Sequence, residues 1–103
     1  MVFTPVYDQD KDILLGHIRD LTLQGAQVIS EKAMDINTHT TLALDLPGGL
    51  PSISKTRMTI SARVARCVED ESSQTFKIGF EFINVKTEQI RIIQAILERY
   101  HFR

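Results

Sequence analysis

Residues 57–82 read RMTISARVARCVEDESSQTFKIGFEF and carry the strongest strand signal of the chain. Apolar and polar side chains alternate along both of its halves, with the period of two that is typical of a strand with one buried face. The predicted inward side chains are Met58, Ile60, Ala62 and Val64 in the first half and Phe76, Ile78, Phe80 and Phe82 in the second. A polar turn at residues 69–74 separates the halves, so the stretch predicts an antiparallel hairpin.

Four shorter strands are predicted on the N-terminal side of this hairpin, at residues 2–7, 13–19, 26–30 and 40–46. Gly16 lies inside the second of them, which predicts a bulge or a close approach of another backbone. In the fourth, the alternation places Leu42 and Leu44 inward and Ala43 outward. The Pro- and Gly-rich segment 47–51 ends that strand.

The hydrophobic period changes after the hairpin. Between residues 86 and 100, apolar side chains recur every three or four positions, which predicts an amphipathic helix with Asn84 as its N-cap. Ile93 and Ile96 lie on the apolar stripe, whereas Ile92 lies beside it and leaves a partner or dimer surface open as an interpretation. Sheets of this size usually close to remove their edges, so we predict one domain over residues 1–103, a six-stranded antiparallel β-barrel at about 2–83 with a C-terminal helix at about 86–100.

Composition limits the classes of function. The 103 residues carry a net charge of −1 and are 43% hydrophobic and 24% charged, which is typical of a globular domain. Binding to DNA or RNA, or to an anionic membrane, needs a basic face, so neither is expected. No apolar run approaches the ~20 residues of a membrane span, and no signal peptide is visible. A cytoplasmic location without membrane insertion is therefore expected.

No set of residues suggests catalysis or a metal site. The histidines His17, His39 and His101 are far apart, and no paired cysteines or carboxylates stand at metal-ligand spacing. Cys67 is the single cysteine and has no neighbouring base that would make it a nucleophile. We therefore predict a protein that is not an enzyme and that uses no cofactor or metal.

One short motif could serve a ligand. Residues 15–26 read LGHIRDLTLQGA and contain Asp20, Thr22 and Gly25 in the spacing D-x-[ST]-x-x-G. The Asp and Thr side chains can accept hydrogen bonds from backbone amides of a turn at residues 20–25, and Gly25 permits a positive φ. Taken alone, the motif indicates a well-formed turn.

In its context, this segment resembles the second signature of PilZ domains, six-stranded split barrels that act in bacteria as receptors for cyclic di-GMP. The resemblance covers most of the chain, because the order of segments also matches, including the Arg-bearing strand 57–66 and the Gly-Phe-x-Phe strand 77–82. It implies that Asp20, Thr22 and Gly25 contact the nucleotide. Arg19, directly before the motif, is a fourth candidate ligand-binding residue.

The first PilZ signature, R-x-x-x-R ahead of the barrel, is not found, because no arginine precedes Arg19. Either the pair lies upstream in a longer sequence, or the chain is a divergent member; the register of the motif favours divergence. Two functions remain open: a cyclic di-GMP receptor, or an adaptor in motility or surface attachment that binds a protein partner or a second copy of itself. Strict alternation would place Arg57 and Arg63 on one face and Arg66 on the other, so no single basic patch is predicted.

Overall fold

A computed structural model of the chain describes residues 4–50 and 53–99. Six strands precede one helix in this part of the chain. The bounds are β1 Pro5–Asp8, β2 Ile13–Leu21, β3 Gly25–Ser30, β4 His39–Asp45, β5 Arg57–Asp70, β6 Thr75–Phe82 and α1 Thr87–Arg99.

The strands form a closed barrel in the order β1-β2-β3-β6-β5-β4, and every neighbouring pair is antiparallel. β1 closes the sheet because it pairs with β2 on one side and β4 on the other. Pro5 starts β1, at a position that does not need an N–H donor from the strand interior. The predicted six-stranded barrel is confirmed, although β1 begins at Pro5 and the predicted residues 2 and 3 lie outside the described residues.

The barrel interior follows the alternation of the long hairpin. Met58, Ile60, Ala62 and Val64 are buried, as are Ile78, Phe80 and Phe82, whereas Phe76 is half-buried near the barrel end. The hairpin turn is shorter than predicted, since β5 continues to Asp70. Each large apolar side chain removed from water in this core contributes roughly 1.5–3 kcal/mol.

One outward-facing side chain is buried. Ala43 points outward, as predicted, but it is fully buried. It lies in register between Tyr7 of β1 and Thr59 of β5, on the face opposite Leu42 and Leu44. A methyl side chain between two larger neighbours in adjacent strands loses its solvent contact even on the outer face of a barrel.

Three bulges bend the strands and reset the alternation. The extra residues are Leu15 opposite β1, Arg19 opposite β3 and Ala65 opposite β6. Gly16 adjoins the first bulge, and a Cβ on it would lie 2.0 Å from the carbonyl oxygen of Ile29 in β3. The predicted bulge and close backbone approach at Gly16 are therefore both confirmed.

The helix begins at Thr87, and Asn84 is not its N-cap. The residue before the helix is Lys86, whose carbonyl accepts the first helical hydrogen bond from Ile90 N. The Gln89 side chain reaches back to accept from Lys86 N at 2.7 Å, which is half of a capping box. Asn84 instead has a φ of 51°, which places it in the turn before the helix.

The buried face of α1 differs from the predicted stripe. Ile92 is 2% exposed and is buried together with Ile93 and Ile96, in the same core cluster as the strand residues. The interpretation of Ile92 as a partner surface is therefore wrong, because the apolar face packed against the barrel is wider than a single stripe. Within the described residues, no helix is long and apolar enough to cross a membrane.

Candidate ligand-binding site

The motif residues form a narrow hairpin turn between β2 and β3. Thr22 N donates to the Gly25 carbonyl at 2.9 Å, and Thr22 Oγ1 accepts from Gln24 N and Gly25 N, both at 3.2 Å. Asp20 Oδ1 accepts from Leu21 N at 3.0 Å. The predicted hydrogen bonds from backbone amides to Asp20 and Thr22 are confirmed, but the turn spans only residues 22–24, because β2 continues through Leu21.

Glycine is needed at position 25 for a different reason from the one predicted. It does not have a positive φ; the left-handed glycine of the described chain is Gly49. A Cβ on Gly25 would lie 2.1 Å from the carbonyl oxygen of Phe80 in β6. Glycine is required there because the backbones of β3 and β6 approach each other without room for a side chain.

A hollow of about 330 Å³ opens on the outer surface beside this turn. We call it the outer hollow. Its lining residues are Asp20, Thr22, Gln24, Gly25, Ala26, Gln27, Phe80 and Glu81. All three motif residues thus meet in one surface depression, whereas Arg19, the exposed extra residue of a bulge, is not part of its lining.

The strand register explains the depression. Asp20 pairs with Gln27, and Gln27 pairs with Gly79. In the next row, Gly25 pairs with Glu81. Each row therefore contains one glycine, and the missing side chains leave space between Asp20 and the strands that follow.

The bulge at Ala65 places the arginines of β5 differently from the prediction. Arg63 pairs with Glu81 and Arg66 with Gly79, so both arginines lie on the outer face, next to the two glycine rows. Arg63 is engaged, because it donates to Asn37 Oδ1 at 2.7 Å and to Glu81 Oε1 at 3.2 Å. The sequence could not show this, since one extra residue reverses the direction of every later side chain.

Arg57 is also engaged, at a distance from the hollow. Its Nε donates to Asp45 Oδ1 at 3.0 Å, and its guanidinium lies 4.8 Å from the centre of the Tyr7 ring. Arg66, by contrast, makes no hydrogen bond or ion pair with any described residue.

The residues that sequence analysis missed are Gln27, Gly79 and Glu81. Gln27 and Glu81 line the hollow. Gly79 pairs with Gln27 and leaves the outer face of β6 beside the hollow without a side chain. The Gly-Phe-x-Phe pattern of β6 was visible, but its position opposite the motif depends on the pairing of β3 with β6, which are far apart in the chain. Only knowledge of that pairing could have identified Gly79 and Glu81, whereas Gln27 pairs with Asp20 in the β2–β3 hairpin.

A second depression, the apolar cleft, lies along β2 and β3 and has a volume of about 430 Å³. Its walls include Ile13, Leu14, Leu15 and Met34. Ile13 is 48% exposed and Leu14 52% exposed. Strict alternation along β2 would place Leu14 on the same face as Gly16 and Ile18, but the extra residue Leu15 breaks that alternation and leaves Leu14 exposed.

Comparisons with known proteins identify the type of domain. A sequence model described as the PilZ domain matches residues 2–99. The structure superimposes on the inhibitor of motility MotI/DgrA of Bacillus subtilis with a TM-score of 0.74 and 17% identity, over 95% of this chain and 46% of that one. It superimposes on the PilZ domain of YcgR from Escherichia coli, solved with c-di-GMP, with a TM-score of 0.64 and 17% identity, over 94% of this chain and 79% of that one.

At this level of identity, the structural likeness establishes the fold alone. The chain spans less than half the length of MotI/DgrA. No curated protein sequence matches it.

Proposed function

The chain belongs to the PilZ domain family, whose members are cyclic di-GMP receptors, and we propose that residues 1–103 form a single regulatory domain that binds this nucleotide in bacterial second-messenger signalling. The proposal includes a cytoplasmic location and no catalytic activity. The single observation that carries it is the outer hollow, which gathers Asp20, Thr22 and Gly25 in one open depression.

The chemistry of the hollow suits a guanine base. Guanine presents N–H donors, and an ionised carboxylate accepts hydrogen bonds through two oxygens. Asp20 uses Oδ1 for Leu21 N, and Oδ2 makes no hydrogen bond with the described residues. Asp20 can therefore accept from the base while its other oxygen holds the side chain in position.

The hollow lies next to the start of the described chain. The Thr4 carbonyl accepts a hydrogen bond from Ile18 N at 2.9 Å, two residues before Asp20. The described chain thus begins beside β2, the strand that carries Asp20. We propose that nucleotide binding shifts the conformational population of the N-terminal segment and thereby changes which partner the domain contacts.

Calorimetric titration of the chain with cyclic di-GMP tests this function. We expect saturable binding to the wild type and a loss of about tenfold to a hundredfold in affinity for Asp20→Ala, because a charged hydrogen bond to the ligand contributes about 1.5–3 kcal/mol. Asp10→Ala is the matched control, since Asp10 is an exposed carboxylate in the β1–β2 turn outside the hollow. Flat heats for the wild type at high micromolar nucleotide would refute the proposal.

The second candidate function is the adaptor, and the apolar cleft is the observation that favours it. Exposed Leu14 and Ile13 provide a surface for an apolar segment of a protein partner. This surface replaces the helix face around Ile92, which the barrel covers.

Affinity capture from a bacterial extract tests the adaptor. We expect a partner retained by the wild type to be lost with Leu14→Ser and kept with Ile36→Ser, because Ile36 is equally exposed, at 52%, but does not line the cleft. Equal capture by both variants, or no captured partner, would exclude the cleft as a docking site.

A further inference from the structure

Arg66 lies at the far end of the row of residues that begins at Asp20. The register runs from Asp20 to Gln27, from Gln27 to Gly79 and from Gly79 to Arg66. Neighbouring strands are about 4.8 Å apart, so the row spans roughly 14 Å across the outer surface of the barrel. A carboxylate thus stands at one end of the row and a guanidinium at the other.

Gly79 keeps this row open between its two charged ends. A Cβ on Gly79 would lie 3.3 Å from the Cβ of Arg66, which is closer than ordinary van der Waals contact. The side chain of any larger residue at position 79 would lie between the aliphatic part of Arg66 and Gln27. With glycine, the Arg66 side chain can lie across β6 towards the outer hollow.

Arg66 is exposed and has no partner among the described residues, unlike Arg57 and Arg63. The carboxylate nearest in the register is Glu81, which Arg63 already binds. A guanidinium without a partner among the described residues is suited to a phosphate, which it addresses with paired N–H donors.

We propose that Arg66 binds a phosphate of the guanine nucleotide whose base lies at Asp20 and Thr22. This inference rests on the proposed function and adds a ligand-binding residue outside the D-x-[ST]-x-x-G motif. It gives the site an arginine, a residue type that the sequence before Arg19 does not contain.

Titration with cyclic di-GMP at two salt concentrations tests the inference. We expect Arg66→Ala to weaken binding about tenfold or more, and its remaining affinity to depend less on salt, because a screened charge pair has been removed. Arg66→Lys should fall between the wild type and Arg66→Ala, since it keeps the charge but not the paired donors.

Arg91→Ala is the matched control, because Arg91 is an exposed arginine on α1 that does not line the hollow. We expect it to bind like the wild type. If the wild type binds and Arg66→Ala behaves like Arg91→Ala, the role of Arg66 is overturned while the receptor function stands. If the wild type binds nothing, while Arg66→Ala and the wild type unfold at the same temperature, the receptor function fails and this inference fails with it.

Discussion

Replacing Gly16 with alanine is expected to lower the free energy of unfolding by about 3 kcal/mol or more, at the upper end of overpacking effects. The new Cβ would lie 2.0 Å from the Ile29 carbonyl oxygen, 2.8 Å from its carbon and 3.0 Å from Val28 Cγ1. The Ile29 backbone cannot move away freely, because β3 is held between β2 and β6 in a closed barrel. Denaturant unfolding measures the change directly.

Gly48→Ala provides the control for Gly16→Ala. Nothing lies within 4 Å of a Cβ at Gly48, and its φ is not in the left-handed region. We expect a change within about 1 kcal/mol, with a slight gain from the lower entropy of the unfolded chain. Since each kcal/mol shifts the melting temperature of a domain of this size by about 4–8 °C, the melting temperatures of the two variants should differ by about 8 °C or more. Equal unfolding midpoints would mean that β2 and β3 do not approach as described.

Ile93→Ala is expected to destabilise the whole domain by about 2–5 kcal/mol, the usual cost of truncating a fully buried isoleucine. Ile93 is 0% exposed and belongs to the cluster that contains the barrel strands. Because α1 shares this core, helix and strands should unfold in one cooperative transition. Circular dichroism can follow this transition in the far-UV and near-UV regions.

Gln94→Ala is the matched control for Ile93→Ala. Gln94 is the next residue of the same helix and is exposed, so the substitution changes helix propensity by only a few tenths of a kcal/mol. An Ile93→Ala variant that loses its helical signal first, with the barrel transition unchanged, would contradict a shared core. It would indicate that α1 is an appendage of the barrel.

The outer hollow shows how local and long-range information combine in this protein. Asp20, Thr22 and Gly25 are close in sequence, so their hydrogen bonds could be predicted from turn chemistry alone. The purpose of Gly25 could not, because its constraint is the Phe80 carbonyl, contributed by β6. A residue that makes room for a distant strand has the same local signature as one that adopts a positive φ.

The arginines of β5 show the same limit of prediction from sequence. Alternation predicted the inward residues of β5 correctly up to Val64. Beyond it, the bulge at Ala65 reverses the alternation and brings Arg66 to the face of Arg63. A single-residue bulge leaves no clear mark in the local sequence, because its cause is the pairing between strands.

The six strands, the inward side chains of the long hairpin, the C-terminal helix and the motif turn could be predicted from the amino-acid sequence. Each depends on the period of side chains or on contacts within a few residues. Three features required the tertiary structure: which side chains share the outer hollow, why residue 25 must be glycine, and how wide a face of α1 is covered. Those features depend on the pairing of strands distant in sequence and on bulges of one residue, and a single shift in register moves a side chain to the opposite face of the barrel.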